Sequence, residues 1–216
     1  MDNSREINPQ VSPEHYFNQV YDEKGRFISY WHQIDEIVSL SPSSVLEIGV
    51  GNGFVRDYLK KRGVNISAID IDSRLKPDKV GSVLQIPFPD GAFDVVGCFQ
   101  VLEHLPFDKF DVALAEISRV SSKSAVLSLP DSTRAYRIDL QIPKVGEFKT
   151  LVSLPWLVPP VHEFNGEHYW EIGKAGFPLS IIYSKINKAG FRITQSYRVF
   201  EMPYHRFFRM LKTGKK

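Results

Sequence analysis

The chain has one cysteine among its 216 residues, Cys98, set within the apolar segment FDVVGCF at 93–99. A single thiol allows no internal disulfide and no cysteine-rich zinc site, and it suits a reducing compartment. Long hydrophobic runs are missing too. The longest, LPWLVPPV at 154–161, is too short and too proline-rich to cross a bilayer, and MDNSREINPQ at the N-terminus lacks the apolar core of a signal peptide. Nor does one charge dominate: 27 basic against 25 acidic residues leave a formal +2, which supplies no field to gather nucleic acid or an anionic membrane. Lys212, Lys215 and Lys216 form a short basic end, read as solvated and frayed. There is no internal repeat and no low-complexity segment. These absences predict a cytoplasmic protein with no nucleic acid as partner and no membrane span; oligomeric state is left open.

What is present is apolar material, 43% of the residues, enough for one substantial core and hence one domain over 1–216. From Ser12 to Leu40 the spacing of Phe27, Tyr30, Trp31, Ile34 and Ile37 predicts one or two helices, broken near Gly25 and ended by Ser41-Pro42. They would form an N-terminal helical cover over 1–40. Short apolar runs then alternate with helical spacing. Strands are expected at 45–48, 65–70, 83–86, 93–99, 124–129, 191–200 and 205–211, and helices at 54–62, 107–120 and 178–189. Such alternation means α/β architecture: a Rossmann-like three-layer sandwich whose seven-stranded sheet is mainly parallel, with an antiparallel last strand. Ligands of such sheets lie at the carboxyl ends of the strands. Residues 131–177 do not fit the alternation. They carry Trp156, His162, Glu163, Phe164, His168, Tyr169 and Trp170, and are expected to form an inserted lid over that same edge.

The stretch Val45–Val55, VLEIGVGNGFV, places glycines at 49, 51 and 53, directly after a strand. Three in five residues exceed what a turn needs, so backbone must come close to something. A dinucleotide loop, G-x-G-x-x-G, would put its third glycine where Phe54 stands, and a ring there obstructs tight packing of helix on strand. A ligand with adenosine but no pyrophosphate fits better. Asp70, ending the second strand, is placed to accept from both hydroxyls of a ribose, with Asp72 a lesser candidate. Glu47, inside an apolar strand, calls for a bound partner.

The ordered set VLEIGVGNG, AIDID, VGSVLQIPFPDGAFDVVGCFQVLEHL and EISRVSSKSAVLSLPD covers roughly residues 43–131, and KINKAGFRI at 185–193 extends it. This set resembles the class I S-adenosylmethionine-dependent methyltransferases, in their broad small-molecule subgroup. The resemblance implies S-adenosylmethionine as cofactor. It implies Glu47, Gly49, Gly51 and Gly53 around the methionine portion, Asp70 at the ribose and Ser82, Val83 and Leu84 toward the adenine, with Ile71 and Phe99 as further cofactor contacts. Ser82 stands where the family often has an acid near the adenine amine.

A sulfonium is already a strong methyl donor, so the protein's main task is to align a nucleophile and exclude water, with a base only where the acceptor must lose a proton. His104, in Gln100-Val-Leu-Glu103-His104, is the candidate base; the alternative is that Glu103 and His104 only pin the loop before the helix. Some hydroxyl-methylating relatives use a similar Glu-His pair for metal binding, with another acid three residues earlier, where this chain has Gln100. No metal is therefore expected, and His162 and His168, six apart, suggest no zinc site. Glu103, Trp156, His162, His168, Tyr204 and His205 are candidate substrate contacts. Two rival functions are a catalytically silent methyltransferase-fold binding subunit and an NAD-dependent oxidoreductase.

Overall fold

The computed structural model describes residues 9–154 and 156–214. A 3-10 turn at Pro13–Phe17 leads to α1 (Lys24–Ser39). Then come β1 (Val45–Ile48), α2 (Phe54–Lys61), β2 (Ile66–Asp70), β3 (Lys79–Val80), β4 (Phe93–Phe99), α3 (Phe110–Val120) and β5 (Ser121–Pro130). A hairpin follows, β6 (Ala135–Ile142) and β7 (Gly146–Ser153), and the chain closes with α4 (Leu179–Lys188), β8 (Phe191–Arg198) and β9 (His205–Lys212). Seven strands form one sheet in the order β3-β2-β1-β4-β5-β9-β8. Strands β1 to β5 pair in parallel, while β9 runs antiparallel to both its neighbours, β5 and β8.

Alternation along each strand sends successive side chains to opposite faces. Leu46, Ile48, Val96, Cys98 and Leu127 pack on one face beneath Leu114 and Ile117 of α3 and Ile182 and Ile186 of α4. Val45, Val95, Val126 and Phe207 pack on the other, beneath Tyr30 and Ile37 of α1 and Val55 and Leu59 of α2. This is the expected three-layer sandwich. Because β1 is covered on both faces, all four of its residues are buried, Glu47 among them.

Four local expectations are corrected. The strand expected at 83–86 is a turn: Leu84 N donates to Ser82 Oγ (3.1 Å), Gln85 N to Ser82 O (3.1 Å) and Ile86 N to Glu116 Oε2 (2.8 Å). Its backbone is thus satisfied without a ladder, and its side chains are apolar because they enter the core; the third strand is instead the two-residue β3. Gly25 does not break a helix but lies in the first turn of α1. Lys212 is no frayed end, since its Nζ donates to Ser118 O (2.7 Å) and Ser121 O (2.6 Å); Lys215 and Lys216 lie outside the described residues. Within 131–177 there is regular structure that was not expected, the β6–β7 hairpin, which forms its own two-stranded sheet. The segment is tied down at its start. Asp131 N donates to Tyr204 O (2.7 Å), and buried Asp131 accepts from Arg206 Nε (2.6 Å).

Candidate functional site

Two adjoining cavities open at the carboxyl ends of β1, β2 and β4. The first, about 120 Å³, is lined by Pro9, Gln10, Ile48, Ile71, Leu75, Ser82, Val83 and Leu105, among others. The second, about 550 Å³, is lined by Glu47, Val50, Gly51, Tyr16, Tyr21, Arg26, Tyr30, Phe99, His168, Tyr204 and His205, among others. Gly49, Asp70, Gln100, Val101 and His104 line both. One end is therefore a narrow, largely apolar slot and the other a roomier, polar and aromatic chamber, joined at the tips of the central strands.

The glycines divide their work. All three have positive φ: 82° at Gly49, 52° at Gly51 and 76° at Gly53. A Cβ at Gly49 would stand 2.5 Å from Val101 Cγ2, so the chain there passes too close to the loop after β4 for any side chain. At Gly51 the nearest atoms would be 3.7 Å away, on Tyr16, and the backbone faces the chamber. Gly53 lines neither cavity; it is the left-handed residue before α2, whose entry Asn52 Oδ1 supports by accepting from Phe54 N (3.1 Å). Phe54 itself stacks on Tyr30, ring centroids 5.0 Å apart, between α1 and α2.

Asp70 holds the crevice open. Its Oδ2 accepts from Val50 N and its Oδ1 from Asp72 N, both at 2.9 Å, which fixes the glycine loop to the end of β2 and leaves lone pairs toward the cavities. Burial raises its pKa, against those backbone hydrogen bonds. Asp72 is committed elsewhere, caps its own turn and pairs with Arg74 Nη2 (2.7 Å). Glu47 is the odd group of β1. It is 3% exposed, its Oε2 has no hydrogen-bond partner, and burial pushes its pKa up to about 8. A buried carboxylate in that state wants a cationic donor from outside the chain.

Around the chamber the histidines differ. His104 Nδ1 is held by Gln10 Oε1 (2.8 Å) and Glu167 O (3.1 Å), and burial lowers its pKa to about 4, so it is neutral. Burial opposes charge on His168 as well, but the hydrogen bond of its Nδ1 to Glu171 Oε1 (3.1 Å) and the field of Glu103 raise its pKa. Glu171, despite its burial, is held down to about 2 by hydrogen bonds from His168 and Tyr204. His205 Nδ1 meets Ser29 Oγ (2.7 Å), tying α1 to β9, and burial with Arg26 nearby lowers its pKa to about 3.

Five sequence candidates lie outside the cavity walls. Leu84, expected near adenine, is in the core, and Gly53 is set back as described. Trp156 lies under Arg134, whose guanidinium is 3.9 Å from the ring centre, and His162 Nε2 bonds His168 O (2.8 Å), so both shape the 131–177 segment from behind. Glu103 is wholly buried with Oε2 unpartnered, and burial raises its pKa to about 7. Phe99, expected among the cofactor contacts, lines the chamber and not the slot. Trp170, from the supposed aromatic lining, is a core residue whose Nε1 donates to Leu105 O (3.1 Å). Beside the expectation of no metal stands one cluster: Glu103, His104 and His168 each bring one ligand-type atom within 4.8 Å of the others, close enough to hold a cation. His168 joins from an insertion 64 residues downstream of His104, which spacing could not reveal. Gln100 occupies the position of the missing acid; with its amide turned about, its nitrogen would donate to Glu103 Oε1 (3.2 Å) and its oxygen would accept from Leu129 N (3.1 Å). Arg26, Tyr30, Glu167 and Glu171 were missed. Only Glu171 had a local signal, its three-residue spacing from His168.

Known proteins share part of this sequence and its fold. Residues 46–129 match a family model described as a methyltransferase domain. The magnesium protoporphyrin IX methyltransferase of Arabidopsis thaliana is 26% identical over 161 residues, 67% of this chain and 52% of that protein. A ubiquinone biosynthesis O-methyltransferase of Pseudomonas aeruginosa is 34% identical over 88 residues, 34% of this chain and 38% of that protein. The chain thus spans about half or less of the aligned curated relatives' length. Among solved structures, an S-adenosylmethionine-dependent methyltransferase of Clostridium acetobutylicum superposes with a TM-score of 0.62 at 9% identity, over 94% of this chain and 100% of that one. The magnesium protoporphyrin IX methyltransferase of Synechocystis, solved with bound S-adenosylmethionine, gives 0.59 at 13% identity, over 94% and 93%. Residues 46–129 thus carry a methyltransferase domain, and the strand order and the glycine loop at the end of β1 belong to a chain with the fold of the S-adenosylmethionine-dependent methyltransferases.

Proposed function

We propose that the chain transfers the methyl group of S-adenosylmethionine to a small or medium-sized acceptor bound in the larger chamber. The observation that carries this reading is the junction of the two cavities at Gly49, Asp70 and His104. A ligand in the slot and one in the chamber would meet there, at the strand tips.

The residues fit the donor on two counts. Orphaned Glu47 Oε2 suits an ammonium such as that of the methionine arm, and the bare backbone of Gly49 and Gly51 leaves room beside it. Asp70 would accept from the ribose diol on the lone pairs its backbone donors leave free, while Ile71, Leu75, Val83 and Leu105 would enclose the adenine. When bound, the cofactor supplies an electrophilic methyl; the chain supplies position and dryness. Pro9, Gln10, Val11 and Tyr16 from the N-terminal segment, and Glu167 and His168 from the 131–177 insertion, would close the site as cover and lid and keep water out. Residues 1–8 of that cover lie outside the described residues.

For an acceptor that must lose a proton, His168 is the better base than His104. His168 is oriented by Glu171, as catalytic imidazoles are by a carboxylate, whereas His104 is drained of basicity by burial and serves to position. The O-methyltransferases among the relatives support oxygen as the atom methylated.

The rivals are separated by binding and turnover. Calorimetry with S-adenosylmethionine, with S-adenosylhomocysteine and with NAD is expected to show heat for the first two alone; binding of NAD in their place would leave the oxidoreductase reading. Label from methyl-labelled donor should pass to a component of a metabolite extract. Tight donor binding with no transfer to any extract would favour the silent subunit.

A further inference from the structure

The β6–β7 hairpin is amphipathic, and its apolar side faces out. By register and alternation, Tyr136, Ile138, Leu140 and Ile142 of β6 share one face with Phe148, Thr150 and Val152 of β7. Arg137, Asp139 and Gln141 share the other with Glu147, Lys149 and Leu151. The polar face is the one turned to the body of the protein: Arg137 Nη1 donates to Glu201 O (3.0 Å), and Lys149 Nζ lies 5.9 Å from the ring centre of Phe200. The apolar face is left to solvent. Its six large side chains are between 39% and 56% exposed. With exposed Val145 at the tip they present on the order of 700 Å², more than the largest apolar patch of most monomers and close to what each side of a stable interface buries.

Charge and edges decide what covers this face. None of its seven side chains is ionised at neutral pH, and the charges behind it cancel locally, Lys149 with Glu147 (2.8 Å) and Asp139 (4.0 Å), so nothing on it selects a charged partner. Residues 1–8, MDNSREIN, are too polar to be its cover. A bilayer would accept the side chains but not the backbone: a two-stranded sheet has two open edges, whose N–H and C=O groups lipid leaves unpaired. An identical face meets neither objection. Set across a twofold axis, it places apolar surface on apolar surface, brings no charge against its own copy, and leaves the edges in water at the rim. It also supports the hairpin, since two strands alone are marginal in water.

We propose that the apolar face of β6–β7 is a dimerisation surface, on which a second copy of this chain packs the same face of its own hairpin. The proposal stands apart from the assignment of donor and acceptor. Sedimentation velocity on the full chain tests it. Wild type should be dimeric at about 10 µM and above, as an interface of this size allows. Leu140→Glu combined with Phe148→Glu should raise the dissociation constant about 100-fold or more, because each charge enters a self-complementary contact twice. Gln141→Glu, on the polar face, should dimerise as wild type does. Both variants alter exposed positions, and circular dichroism melts should show them folded. Wild type that stays monomeric throughout overturns the idea, and so does a double variant that dimerises as tightly as wild type. Flotation with phosphatidylcholine vesicles covers the other occupant: monomeric wild type that floats, when the double variant does not, would hand this face to lipid and overturn the dimer.

Discussion

The two halves proposed here for donor and acceptor are built in opposite ways. The donor half comes from 47–51, 69–72 and 81–83, short loops at the ends of adjacent parallel strands, where local sequence and sheet topology together dictate the shape. The acceptor half is assembled from His104, His168 and Tyr204, brought together only by packing of the 131–177 insertion against the sheet. Separable halves imply separable damage: donor-side changes should abolish cofactor binding, and acceptor-side changes should spare it.

The largest effect is expected at Asp70. Asp70→Asn leaves the shape but removes the charge and half the acceptor capacity that orders Val50 and Asp72, and binding of S-adenosylhomocysteine should weaken by about 100-fold or more. Binding that survives within threefold would place the ribose elsewhere. Next is His168→Ala, on the other half. Turnover in the labelled-methyl assay should fall by about 10²-fold, as for loss of a general base, while donor affinity stays within twofold; a parallel loss of donor affinity would erase the distinction between halves. Gly49→Ala should cost about 1–3 kcal/mol of stability, because the new Cβ meets Val101 Cγ2 at 2.5 Å in a left-handed conformation. Adding Val101→Ala should return part of it in a chemical melt, and no recovery would mean that the φ angle, not the contact, sets the cost.

The smallest effect concerns Glu47 and pH. Its folded pKa, about 8, lies above the ordinary 4.5, so between those values the unfolded chain releases a proton that the free folded protein retains. Stability of the free protein therefore falls as pH rises through that window, and it is unaffected below it. Glu47→Gln should abolish this fall and gain on wild type by on the order of 1–2 kcal/mol at pH 7 in the free state. The same variant should bind S-adenosylhomocysteine less well. A variant no more stable than wild type at any pH would mean that Glu47 already has a partner.

The same contrast explains what the sequence revealed. The three-layer α/β sandwich, its antiparallel last strand and the loop at 49–51 were legible because period, glycine placement and strand order are properties of neighbouring residues. The turn at 82–86 was misread because its apolar residues answer to the core, while its hydrogen bonds go to Ser82 and Glu116 instead of to a neighbouring strand. The hairpin was readable in retrospect. Tyr136, Ile138, Leu140 and Ile142 alternate opposite Val152, Thr150, Phe148 and Gly146. Arg26 offered no signal at all, since a lone arginine in a polar helical turn resembles any solvated one until α1 is packed over the sheet. His168 and Glu103 became neighbours only through Tyr169 N donating to Glu103 O (2.9 Å), a contact across 66 residues.

The most direct test is a calorimetric titration of the free protein with S-adenosylhomocysteine, run side by side on wild type, Asp70→Asn and His168→Ala. The account predicts one site per chain in wild type, the same affinity within twofold in His168→Ala, and none measurable in Asp70→Asn. Wild-type protein that takes up no ligand, or Asp70→Asn that binds as wild type does, would contradict it.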